Sequence, residues 1–280
     1  MDRYRRGDLT FDVRDGGPPD GEPVVLLHGF PQEAAAWSAV EPHLHDAGFR
    51  TLAPDQRGYS PGARPRGRSA YRVSECADDV LALLDAAELE SAHVVGHDWG
   101  GFVAWNLGGR HPDRVRTLTV ISTPHPAAMT RAFVGRQALL SWYMFAFQLP
   151  VLPERALRRP AYAAQALRRA GLPRAAAERY ARRLAEPGNA GPMLNWYRAI
   201  PWSQRTSPGR TRVPTTFVWG SKDVALGRRA SEGTGRYVAA PYRFVELDAG
   251  HWLPEVHPEI VAEHVLARVK GTVEDAPGGG

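Results

Sequence analysis

The segment that most constrains this chain is Gly96-His97-Asp98-Trp99-Gly100-Gly101, which follows the apolar run Ala92-His93-Val94-Val95 and leads into a helical stretch from Phe102 to Arg110. A strand that turns abruptly into a helix, with glycines on both sides of a central side chain, is the layout of a nucleophile elbow. Such a turn thrusts the central side chain up at the end of a sheet. Here the central residue is Asp98. A serine attacking an alkyl carbon would leave an ether, which no oxyanion hole helps to cleave. An aspartate leaves an ester, whose carbonyl carbon water can attack. The elbow therefore implies displacement or ring opening at saturated carbon, followed by ester hydrolysis.

The surrounding pattern supplies a sheet for such a turn. Leu9 to Val13 alternates like a strand, and Pro23-Val24-Val25-Leu26-Leu27 is a short, nearly continuous apolar run of the kind found in buried parallel strands. Further strands are expected at Arg50 to Ala53, Ala92 to Val95, Val115 to Ile121, Thr215 to Trp219 and Tyr242 to Leu247. Helical spacing lies between several of them, at Ala35 to Ala47, Tyr71 to Ala87, Phe102 to Arg110 and Pro258 to Val269. This alternation implies an α/β protein, a mostly parallel sheet with helices on both faces. The rhythm breaks once. From residue 126 to residue 207 strand signals vanish, and Ala, Leu and Arg recur at helical spacing, punctuated by Pro150, Pro153, Pro173 and Pro192. The chain thus divides into a first core part (1–125), a helical lid or cap (126–207), a second core part (208–273) and a frayed tail (274–280). The arginine pairs Arg158-Arg159 and Arg182-Arg183 read as solvated helix faces.

Composition removes several other classes. With 280 residues and 43% hydrophobic content the chain can bury a substantial core. Its 35 basic residues, nearly all Arg, are dispersed among 30 acids, so the net charge of +5 points to no nucleic-acid partner. No run approaches the roughly 18 apolar residues of a spanning helix, and the polar start Met1-Asp2-Arg3-Tyr4-Arg5-Arg6 resembles no signal peptide. A soluble, cytoplasmic protein with no membrane partner is expected, with homodimer formation left open. Cys76 is the single cysteine, which excludes an intrachain disulfide and a cysteine-based zinc site. Its place on an amphipathic helical stretch suggests a packed thiol.

A carboxylate nucleophile needs a base to activate the second-step water, and the base needs an acid to orient it. His251, in Asp248-Ala249-Gly250-His251-Trp252, follows the last expected strand; Asp223, in Trp219-Gly220-Ser221-Lys222-Asp223, follows the strand before it. Both fall at strand ends, where sites on open parallel sheets collect. His257 and His125 are less suitably placed, Asp248 sits close enough to His251 to shape its turn, and His28 and His97 suit structural hydrogen bonds. The ester's tetrahedral oxyanion needs donors, and the backbone N–H groups of Trp99 and of Phe30, in His28-Gly29-Phe30-Pro31, are the natural pair. Asp55-Gln56-Arg57-Gly58-Tyr59-Ser60 reads as a structural loop.

As a set, His28-Gly29-Phe30-Pro31, Gly96-His97-Asp98-Trp99-Gly100-Gly101, Asp223 and Gly250-His251-Trp252 resemble the signature of the epoxide hydrolases of the α/β-hydrolase fold. The resemblance runs from Leu9 to Val269. It implies hydrolysis of a small-molecule epoxide to a vicinal diol with no cofactor and no metal. In that family two lid tyrosines hydrogen-bond the epoxide oxygen. Ser141-Trp142-Tyr143-Met144-Phe145-Ala146-Phe147-Gln148 resembles the segment carrying the first, and Met193-Leu194-Asn195-Trp196-Tyr197-Arg198 the segment carrying the second, which gives that role to Tyr143 and Tyr197. Phe30, Trp99, Trp142, Phe147 and Trp252 are the expected apolar walls. Haloalkane dehalogenases resemble the same elbow, including its Asp-Trp pair, and are the alternative; they commonly place Asn where Phe30 stands. Fluoroacetate dehalogenases carry Arg where Trp99 stands. A ligand-binding protein that kept the fold without turnover is the remaining class.

Overall fold

A computed structural model describes residues 1–132, 142–204 and 207–272. Its frame is an eight-stranded sheet built from β1 (Arg3–Arg6), β2 (Leu9–Gly16), β3 (Glu22–Leu27), β4 (Phe49–Pro54), β5 (Ala92–His97), β6 (Val115–Ile121), β7 (Thr215–Gly220) and β8 (Tyr242–Leu247). The spatial order is β1-β2-β4-β3-β5-β6-β7-β8. From β4 to β8 the strands pair in parallel, and β2 joins β4 antiparallel.

The apolar runs explain the layers. In β3 successive side chains point to opposite faces. Val24 and Leu26 join a core with Trp37, Leu44, Val261 and Val265, while Val25 and Leu27 join another with Leu83, Val103 and Trp105. A strand buried on both faces has no polar face to show, which is why its sequence does not alternate. The helices Val73–Ala86 and Trp99–Arg110 cover the second of these faces, and Glu41–Asp46 and Pro258–Val269 the first.

Local chemistry explains where the expected elements differ from the observed ones. The single helix expected over Ala35 to Ala47 is split into a 3₁₀ turn, Ala34–Trp37, and the short helix Glu41–Asp46. Pro42, lacking a backbone N–H, suits only the first turn of a helix and so sets the break. The edge strand β1 was not expected, because in Arg3-Tyr4-Arg5-Arg6 Tyr4 alone is apolar. That side chain is buried and stacks on Phe11 at 4.8 Å, while the arginines keep the edge charged. The short helix Arg228–Glu232 also carries no pattern long enough to read.

Between β6 and β7, where a helical insertion is expected over 126–207, the described residues form helices and no strand: Pro126–Ala132, Trp142–Ala146, Leu152–Leu157, Pro160–Arg169, Arg174–Ala185, Ala190–Arg198 and Ile200–Ser203. One expectation fails here. Arg183 is not a solvated residue like its neighbour Arg182; its guanidinium bonds the carboxylates of Glu33 and Asp55, the latter at 2.8 Å, and so ties the insertion to the core loops. Helical periodicity made the pair look alike, but only Arg183 faces two core acids. Cys76 is buried as expected, and burial pushes its thiol well above its ordinary pKa. The expected tail, 274–280, lies outside the described residues. Among the described residues no helix is long and apolar enough to cross a membrane.

Candidate active site

Every expected catalytic side chain from the core lies just past the carboxyl end of a parallel strand. Asp98 follows β5, Phe30 follows β3, Asp223 follows β7 and His251 follows β8. The sheet's twist and parallel register bring these ends together, although the residues span more than two hundred positions of chain.

At the elbow, Asp98 has φ +51° and ψ −118°, a conformation that L residues rarely adopt. The turn is held by its surroundings. The Asp98 carbonyl accepts hydrogen bonds from the Gly101 N–H at 2.9 Å and the Thr123 hydroxyl at 2.8 Å. Small neighbours are obligatory: a Cβ on Gly100 would lie 2.1 Å from the Leu27 carbonyl oxygen. Trp99 opens the helix, so its N–H belongs to the first-turn donors that lack an intrahelical partner.

Asp98 Oδ1 accepts a hydrogen bond from the Phe30 N–H at 2.8 Å, and Asp98 Oδ2 lies 3.6 Å from His251 Nε2. His251 Nδ1 is 2.8 Å from Asp223 Oδ2. The other Asp223 oxygen accepts from the N–H groups of Ala225, at 2.7 Å, and Leu226, at 3.0 Å. This carboxylate is therefore clamped by backbone before it orients the histidine, and it fixes which imidazole nitrogen faces Asp98.

The electrostatics follow from burial and pairing. Burial works to lower the His251 pKa, but the charge and hydrogen bond of Asp223, joined by those of Asp98, outweigh it and push the pKa up to about 10. Burial works to raise the Asp98 pKa; His251, His97 and the Phe30 N–H reverse this and hold it below the usual carboxylate range. His251 therefore rests as an imidazolium between two carboxylates. Burial, reinforced by the Asp98 charge, raises the phenol pKa values of both Tyr143 and Tyr197, so both remain protonated donors at neutral pH.

Above this line sits an aromatic group. The Phe30 ring packs on Tyr197 at 5.2 Å and Phe147 at 5.7 Å; Tyr143 packs on Tyr197 at 5.9 Å; Trp99 meets Tyr197 edge-on at 5.0 Å. Thus Phe30, Trp99, Phe147, Tyr143 and Tyr197 come together as expected. Two expected wall residues do not join them. Trp142 is 68% exposed, because consecutive positions on a helix point about 100° apart and Tyr143 takes the inward direction. Trp252 packs with Leu172, Ala176, Ala177 and Tyr180, and its indole N–H donates to the Ala170 carbonyl at 2.9 Å. Its ring touches His251 at 5.0 Å, but its body anchors the helical insertion.

Two of the other histidines have structural partners. His28 Nδ1 lies 2.9 Å from the Gly29 carbonyl, and His125 stacks on Tyr237 at 5.0 Å. Asp248 is largely exposed and pairs with Lys222 at 2.9 Å. Sequence reasoning missed Gln32 and Glu255, which approach the site from behind. Neither residue type announces such a place, and their only signal is adjacency to the Phe30 turn and to His251. Among the described residues no cluster of His, Cys, Asp and Glu could hold a metal ion.

Known proteins resemble this chain over nearly its whole length. Residues 22–258 match the family described as alpha/beta hydrolase fold. The chain is 37% identical to an AB hydrolase superfamily protein of Bacillus subtilis, covering 94% of this chain and 95% of that protein. It is 33% identical to Epoxide hydrolase A of Mycobacterium tuberculosis, again over 94% and 95% of the two chains. The crystal structure of Epoxide Hydrolase A from Mycobacterium thermoresistibile superposes with a TM-score of 0.77 at 27% identity, covering 96% of this chain and 97% of that one. By this similarity over nearly its whole length, the chain belongs to the epoxide hydrolase family of α/β-hydrolase-fold enzymes.

Proposed function

We propose that this enzyme hydrolyses an epoxide to a vicinal diol through a covalent ester on Asp98. In the first step Asp98 Oδ2 attacks an epoxide carbon opposite the breaking C–O bond. Tyr143 and Tyr197 hydrogen-bond the epoxide oxygen, and one phenol gives its proton to the developing alkoxide. Oδ1, held by the Phe30 N–H, becomes the ester carbonyl oxygen. Esterification removes the Asp98 charge. His251 then loses one of the two anions that hold its proton and releases it, balancing the proton that the phenol gave up.

Neutral His251, oriented by Asp223, next takes a proton from water. The resulting hydroxide adds to the Asp98 carbonyl carbon, and the Phe30 and Trp99 N–H groups stabilise the oxyanion. Collapse expels the diol oxygen, which receives the proton from His251, and the acid left on Asp98 passes its proton to the neutral imidazole, restoring the carboxylate and the resting imidazolium. The helical insertion serves as the lid that brings the phenols and Phe147 over the nucleophile and keeps the site apolar.

The observation that carries this reading is the pairing of two protonated phenols, Tyr143 and Tyr197, in one aromatic group with Phe30 over the Asp98–His251–Asp223 line. Phenols suit an oxygen leaving group.

The decisive test is a single turnover with enzyme in excess in ¹⁸O-labelled water. Attack by Asp98 leaves the first diol mostly unlabelled and puts label in the Asp98 peptide. A fully labelled diol with an unlabelled Asp98 peptide shows direct water attack and rejects the mechanism. Halide release from haloalkanes, run alongside, distinguishes the dehalogenase alternative.

A further inference from the structure

Behind the triad, a line of close polar contacts runs from the helical insertion to the backbone of the catalytic histidine. The His251 carbonyl oxygen accepts from the Ser122 hydroxyl at 2.8 Å and lies 2.9 Å from His97 Nε2. The other His97 nitrogen is 2.8 Å from Gln32 Oε1. That same amide oxygen accepts from the Gly29 N–H at 3.1 Å, one residue before Phe30. A single fully buried amide oxygen thus contacts both the turn that carries the oxyanion donor and the ring of His97, the histidine beside the nucleophile; burial keeps that ring neutral, so it donates through one nitrogen at a time.

The amide's other end faces the insertion. Gln32 Nε2 points to Glu255 Oε1 at 3.4 Å, a long contact, and that carboxylate oxygen accepts from the Tyr180 hydroxyl on the helix Arg174–Ala185. Arg179 donates to the Tyr180 hydroxyl at 2.7 Å and lies 3.6 Å from Glu255. One turn further along the same helix, Arg183 clamps Glu33 and Asp55 next to Gln32. The carboxylate and the Gly29 N–H together choose which way round the amide sits: reversing it would set N–H against N–H and carbonyl against carboxylate.

We propose that Gln32 and Glu255 are positioning residues that link the seating of the Arg174–Ala185 helix to hydrolysis of the ester. The proposal rests on the reading above, that an ester forms on Asp98. The parts braced by Gln32, the His251 backbone and the Phe30 turn, are those that act on water and on the oxyanion. The phenols that assist ring opening sit on other helices. Loosening the chain therefore slows the second step more than the first.

The experiment compares Gln32→Leu and Tyr180→Phe with wild type in two readouts. Single-turnover kinetics with styrene oxide separate ester formation from ester breakdown. Proton–nitrogen NMR of ¹⁵N-histidine-labelled protein follows the ring signals of His97 and His251 without any substrate. In Gln32→Leu, ester breakdown should slow on the order of 10-fold to 100-fold, the penalty of a misplacement of about 1 Å, while ester formation changes by less than about 3-fold. Tyr180→Phe, which deletes one hydroxyl from a lid helix and keeps the core intact, should shift the same ring signals in the same direction by a smaller amount. Unchanged signals in Tyr180→Phe, or equal slowing of both steps in Gln32→Leu, overturns the linkage. If wild type forms no ester from styrene oxide but turns over other epoxides, the same comparison is made with those. If it forms none at all, the mechanistic reading fails, and the ring signals alone decide whether the helix and the histidine are linked.

Discussion

Replacing Asp98 with Asn should drop the His251 pKa from about 10 to near neutrality. The substitution keeps shape and removes charge, which is what the proposed ester on Asp98 would do to this side chain during turnover. Asp98 Oδ2 lies 3.6 Å from His251 Nε2. At an effective dielectric of ~20, two unit charges at that separation interact by about 4 to 5 kcal/mol, equivalent to roughly 3 pKa units. Asp223 remains 2.8 Å away on the other side of the ring and keeps the value from falling further. The assay is an NMR pH titration of the His251 ring in Asp98→Asn and in wild type, with Asp223→Asn as a second reference. A drop of about 2 to 3 units would show that alkylation itself turns a resting imidazolium into a base competent near neutral pH. A His251 pKa that moves by less than about half a unit would refute this, and the second step would then need another trigger.

Other outcomes follow from the same geometry. His251→Gln should form the ester and fail to hydrolyse it, so intact-protein mass spectrometry should show an adduct of one substrate mass; a folded variant giving no adduct with a substrate that wild type turns over removes His251 from the role of base. Tyr143→Phe and Tyr197→Phe should each slow ester formation on the order of 10²-fold by removing a donor to developing charge, and wild-type alkylation rates in both would make the phenols packing groups only. Asp98→Ala should abolish turnover yet unfold in denaturant close to wild type, and near-normal epoxide hydrolysis by it would displace the nucleophile. Gly100→Ala places a Cβ 2.1 Å from the Leu27 carbonyl and should cost roughly 1 to 3 kcal/mol of stability in chemical denaturation together with activity; an unaffected variant would show that the elbow has room to relax.

Much of the architecture was legible because its physical causes are local. Apolar runs such as Pro23 to Leu27 cannot sit at a surface, and the glycines around Asp98 permit a turn that bulkier residues would obstruct, so the α/β class and the position of the elbow are legible in the sequence alone. The placement of Asp98, Asp223 and His251, each after a strand, likewise needed no coordinates. Which side of a helix meets which partner is a different matter. Trp142 and Tyr143 are adjacent in sequence, and Arg182 and Arg183 look interchangeable, yet in each pair the second residue turns inward. Periodicity gives a helix its faces but does not say what covers them. Gln32 and Glu255 were beyond reach for the same reason. They lie 223 positions apart, and their contact exists only because parallel strands bring their loops to the carboxyl end of the sheet, where burial makes each hydrogen bond between distant residues count.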